Sequence, residues 1–141
     1  MLGILVVTHG NLAKEFVDVA FRILGESDPE VVPLCVEWTL EAPAAQDLIR
    51  RAVKKLQDSN QGVLILTDLF GGTPTNLAMT FYQPGKVEIL TGLNLPMLIK
   101  AVLLRKGGTP IGESLSTLRE KGQSAMVFVS EVLGAEGGDA P

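Results

Sequence analysis

The chain has one cysteine, Cys35, and one histidine, His9, among its 141 residues. A single cysteine excludes an internal disulfide, and one histidine beside one cysteine excludes a zinc site of the usual Cys/His spacing. Both fit a reducing, cytoplasmic setting. Positive charge is in short supply, with 12 Lys and Arg against 16 Asp and Glu and a formal net charge of −4. The basic residues are scattered rather than gathered in a stripe, so nucleic acid is not an expected partner. No apolar run approaches the roughly 18 residues of a membrane span, and no basic segment precedes the first apolar run as in an export signal. Direct membrane insertion is therefore not expected. There is no internal repeat and no sign of a second domain.

What is present is a large apolar fraction, 46%, with 15 glycines. That composition suits a single α/β domain able to bury roughly two thirds of its unfolded surface. Apolar runs and helical periods alternate along the chain. Leu2 to Val7 reads as a strand buried on both faces, ending at Thr8-His9-Gly10. Leu12 to Leu24 has helical spacing, with Asn11 as a candidate N-cap and Gly25 as a stop. Val31 to Val36 is a second strand, and Pro33 within it assigns it to a sheet edge. A helix follows from Pro43 to the break at Asp58 to Gly62. Val63 to Leu66 is the third strand, leading through Thr67-Asp68 into "LFGGTPTN" and a helix from about Pro74 to Tyr82. Val87 to Leu90 is the fourth strand, Met97 to Leu104 a short apolar helix, Pro110 to Lys121 a further helix, and Ala125 to Val129 a last apolar strand. The pattern predicts one domain over residues 1–133, with 134–141 as a flexible tail.

Strands alternating with helices imply a small doubly wound α/β fold, a mostly parallel sheet with helices on both faces. With strand two at an edge, the order 2-1-3-4 follows, and its switch point falls between strands one and three. Ligands bind beyond the carboxyl ends of the strands at such a point, which brings forward His9 and Asp68. A neutral imidazole is nucleophilic through one nitrogen, and a carboxylate on the other nitrogen sets its tautomer. Taken singly, His9 also reads as a helix-capping loop residue and Asp68 as a solvated turn residue. The second constellation is Gly71, Gly72 and Thr73 in "DLFGGTPTN". Two glycines admit close backbone approach, Thr73 offers a hydroxyl, and the following helix start presents free N–H groups, together a candidate phosphoryl site beside the histidine. Gly10, at the start of the first helix, is a second candidate contact for the same group. Cys35 and the apolar stretch from Met97 read as core or interface. Trp38 reads as packing or a cleft wall, and Arg50, Arg51, Lys54 and Lys55 as a solvated helix face.

The motifs "VVTHG", "DLFGGTPTN" and "TGLNLPML", in that order, resemble the IIA component of the mannose family of the bacterial phosphoenolpyruvate-dependent sugar phosphotransferase system (PTS). The resemblance spans nearly the whole chain. It implies a phosphocarrier in which His9 accepts a phosphoryl group from phosphohistidine on the carrier protein HPr and passes it to a histidine on a IIB component supplied in trans. It implies that Asp68 orients His9, that Gly71, Gly72 and Thr73 receive the phosphoryl oxygens, and that no cofactor or metal is required. It also implies a homodimer in which Ala125 to Val129 exchanges between subunits as an antiparallel edge strand. Phe70 and Thr73 replace the Trp and Ser frequent in that family. A histidine phosphatase is disfavoured because the chain reads "THG" rather than "RHG" and has no second histidine. A phosphocarrier for dihydroxyacetone kinase and a regulatory phospho-relay are the remaining alternatives.

Overall fold

A computed structural model describes residues 1–134. Four parallel strands form its sheet: β1 (Leu2–His9), β2 (Val31–Val36), β3 (Gly62–Thr67) and β4 (Val87–Thr91), in the order β2-β1-β3-β4. The expected topology is therefore the observed one, with Pro33 on an edge strand, where its missing N–H costs no ladder bond. Register is set by apolar residues that alternate between two cores. Leu2, Ile4, Val6, Leu64 and Leu66 face one side, and Leu5, Val7, Val63 and Ile65 face the other. Helices cover both faces, which is why the central strands read as continuous apolar runs rather than alternating ones.

On the first face lie α1 (Leu12–Leu24), α4 (Leu95–Lys106) and α5 (Ile111–Ser124). They contribute Ala13, Val17 and Ala20, then Met97, Leu98, Ala101 and Val102, then Leu118. On the second lie α2 (Ala42–Ser59) and α3 (Thr73–Met79), contributing Ala45, Ile49, Val53, Leu56 and Ala78. The amino-terminal rim of the sheet is tied by Arg105, buried at the end of α4. Its guanidinium donates to Asp28 at 2.7 Å, to the Leu2 carbonyl at 2.9 Å and to Asn60 Oδ1 at 2.8 Å. That network lies at the opposite end of β1 from His9.

Three local expectations change. Asn11 occupies the N-cap position of α1 without a side-chain bond, and the donor is satisfied instead by Thr8, whose Oγ1 accepts from the Ala13 N–H at 2.6 Å. α4 begins at Leu95 because Asn94 caps it, accepting from the Met97 N–H at 3.0 Å with Pro96 in the first turn. The expected strand at Ala125 to Val129 is not formed: residues 126–128 have no regular structure and lead into a short helix, α6 (Val129–Gly134). A strand needs a neighbour to accept its N–H groups, and no strand of the same chain is paired with this segment among the described residues. Of the tail expected at 134–141, all but Gly134 lies outside the described residues.

Candidate functional site

His9 is the last residue of β1, and Asp68 follows the last residue of β3. Those strands are neighbours with Val7 opposite Thr67, so both side chains leave the sheet at the same carboxyl edge, beside the switch point. Asp68 Oδ2 accepts twice from one residue, from the His9 backbone N–H at 3.1 Å and from Nδ1 at 2.9 Å. A carboxylate can only accept, so this contact places the proton of a neutral imidazole on Nδ1 and leaves the lone pair on Nε2. The other carboxylate oxygen, Oδ1, is buried without a partner among the described residues.

The glycine-rich turn lies over the free edge of the ring. A Cβ placed on Gly72 would stand 2.5 Å from His9 Cε1 and 3.0 Å from Nε2, so no larger residue fits there with the imidazole in place. Gly71, with φ +87°, makes the bend that brings Gly72 down. α3 then starts at Thr73, an exposed residue whose backbone N–H, like that of Thr75, has no helical partner. Thr75 anchors the turn from below, its buried Oγ1 lying 2.5 Å from the Leu69 carbonyl and 2.7 Å from Thr67 Oγ1. Of the residues expected at the site, His9, Asp68 and Gly72 lie against one another, with Gly71 and Thr73 on either side of Gly72 in the chain. Gly10 is different: its N–H donates to the Val36 carbonyl at 3.0 Å and is not free for an anion. Its φ of +53° serves the turn instead.

Trp38, for which the sequence suggests packing or a cleft wall, lines the cleft and stacks on His9 with ring centroids 5.6 Å apart. The available signal was its place two residues beyond Val36, the β2 residue in register with His9. The open cleft at this point, about 580 Å³, is lined by His9, Gly10, Asn11, Leu12, Glu15, Trp38 and Leu69. Among the described residues, none that lines it is a lysine or an arginine. Phe70, beside the glycine turn, is exposed and caps a smaller cavity of about 240 Å³ above β4. Among the described residues there is no cluster of three or more His, Cys, Asp or Glu able to hold a metal ion, and no helix long and apolar enough to cross a membrane.

Fold and site together define a class: a doubly wound α/β domain whose switch point holds a histidine braced by a carboxylate beneath a glycine-rich turn. The family model described as the PTS system fructose IIA component matches residues 3–126, and the chain belongs to this mannose-type EIIA family of the sugar phosphotransferase system. It is 28% identical over 130 residues to the mannose-specific EIIAB component of Escherichia coli K12, a match that covers 89% of this chain but only 38% of that longer protein. It is 27% identical over 135 residues to the fructose-specific EIIA component of Bacillus subtilis, covering 94% and 90% of the two chains. The crystal structure of the PTS IIA protein associated with the fucose utilization operon of Streptococcus pneumoniae superposes with a TM-score of 0.83 at 30% identity, covering 94% and 96%.

Proposed function

We propose that the chain is a phosphocarrier that accepts a phosphoryl group on Nε2 of His9 from phosphohistidine of HPr and hands it to a histidine of a IIB component, in the cytoplasm. The observation that carries this reading is the Nδ1 to Asp68 contact of 2.9 Å, which leaves Nε2 as the one unengaged ring nitrogen. In the transfer, the Nε2 lone pair attacks phosphorus, the donor's N–P bond breaks, and its electron pair returns to the donor imidazole. Nδ1 keeps its proton throughout. The loaded ring is cationic, and Asp68 stabilises that charge as a carboxylate does beside any imidazolium formed in a reaction. The backbone N–H groups about Gly71, Gly72 and Thr73 are the donors placed to receive the phosphoryl oxygens.

A phosphatase is disfavoured because the chain reads "THG" and has no second histidine. The three relatives named above carry mannose, fructose and fucose in their names at similar identity, and the reading commits to none of these sugars for this chain. As in the family, the carrier is proposed to act as a homodimer through residues 125–129.

The test is reconstitution with phosphoenolpyruvate, enzyme I and HPr, followed by mapping of the labelled residue. A label on His9 that is acid-labile and base-stable is the expected result. Equal labelling of a His9→Gln variant would overturn the reading.

A further inference from the structure

The one tryptophan of the chain lies on its one histidine. Indole and imidazole planes are inclined by 28° at 5.6 Å between centroids, an offset stack. Trp38 is nonetheless 78% exposed, so burial in the core does not account for its position. The turn beneath it does. Gly10 joins β1 to β2 through the Val36 carbonyl, and a Cβ on Gly10 would stand 3.1 Å from the indole Nε1. With glycine there, the indole settles against the turn and reaches the imidazole face.

We propose that Trp38 is a positioning residue for His9, fixing the plane of the imidazole. The hydrogen bond from Nδ1 to Asp68 holds one atom of the ring but leaves the ring free to rock about it. Gly72 limits that motion at the Cε1 and Nε2 edge, and the indole limits it at the face. The three contacts together fix the direction in which Nε2 points. Once Nε2 carries a phosphoryl group and Nδ1 its proton, the ring is cationic, and an indole face attracts a cation. The stack therefore tightens in the loaded state. The kinetic part of this inference rests on His9 as phosphoryl acceptor; the stack itself does not.

Two variants of the full chain separate these parts. In proton spectra of Trp38→Ala, the His9 Hδ2 and Hε1 resonances lose the ring-current shift of the indole, while amide resonances away from the cleft stay in place; Trp38→Phe shifts them only in part. In the reconstituted relay, Trp38→Ala lowers the turnover number for phosphoryl acceptance about three- to tenfold with KM for phospho-HPr unchanged, and Trp38→Phe restores most of it. His9 resonances that do not move in Trp38→Ala overturn the stack. Moved resonances with an unchanged turnover number, or a change confined to KM, overturn the positioning role. A wild-type chain that is never labelled overturns the carrier reading itself, and the ring-current result tells that failure apart from a failure of the stack.

Discussion

At the scale of single residues, the site depends on one carboxylate oxygen, Oδ2 of Asp68, which is shared by the His9 backbone N–H and the imidazole. Replacing Asp68 by Ala removes both bonds and frees the ring to take either tautomer; replacing it by Asn keeps the shape but removes the charge that would balance the imidazolium of the proposed phosphorylated state. Loss of the orienting aspartate in a comparable triad costs about 10⁴ in rate. Both variants should therefore slow acceptance by at least about a hundredfold while the far-ultraviolet circular dichroism stays that of the wild type, and stopped-flow transfer from phospho-HPr measures it. Wild-type kinetics in either variant would remove Asp68 from the reaction. His9 and Asp68 were legible in the sequence because each ends an apolar run, and neighbouring parallel strands must end at one edge. The cap by Thr8 and the stack by Trp38 were not legible. Both are contacts made through space by residues whose local context, a strand end and a loop, is equally compatible with having no such contact. Asn11, by contrast, had the right type at the right position and still lost the cap, because Thr8 already supplies an acceptor to the Ala13 N–H.

At the scale of elements, the strand order followed from a single proline on β2 and from apolar runs too short for helices, whereas the closing of the sheet's amino-terminal rim had no local signal. Arg105 lies 77 residues from Asp28 and 103 from Leu2 in sequence, and only the folded sheet brings α4, β1 and the loop before β2 together. Burial alone would raise the Asp28 pKa, but the hydrogen bonds from Arg105 and from the Glu30 N–H, with the Arg105 charge, hold it below its ordinary value of 3.8. A carboxyl whose folded pKa lies below its unfolded one stabilises the fold above the unfolded value and loses that contribution as pH falls through the folded one. Asp28→Asn should thus cost about 1.5–3 kcal/mol at neutral pH, the range for hydrogen bonds to charged groups. The gap in melting temperature between variant and wild type should narrow as the pH is lowered below the ordinary value of 3.8. A gap that stays constant across that range would mean that the ionised carboxylate is not what stabilises this rim.

At the scale of the whole molecule, the unfinished part is the segment that follows α5. Met126 and Phe128 are 84% and 72% exposed, and Val127, Val129, Val132 and Leu133 are exposed with them. Six such side chains, at about 2 kcal/mol each when buried, represent a gross gain on the order of 10 kcal/mol, comparable with the cost of associating two chains. Burial alone therefore does not decide the matter; a backbone ladder has to be added. The sheet offers one. Among the described residues β4 pairs only with β3, its first residue is already bridged by Gln83, and the edge left open runs from Glu88 to Thr91. That is four residues, the length of Met126 to Val129. An apolar run that pairs with no strand among the described residues, in a molecule with an open edge of matching length, is the arrangement expected of a segment whose partner is a second copy. Sedimentation equilibrium should accordingly give a dimer for the wild type at micromolar concentration and a monomer for Phe128→Asp, with the His9 to Asp68 site intact in both. Amide exchange should be slow for residues 126–129 in the wild type and fast in the variant. A monomeric wild type, or a dimer in which these four amides exchange freely, would assign the exposed segment to some other occupant than β4 of a partner subunit.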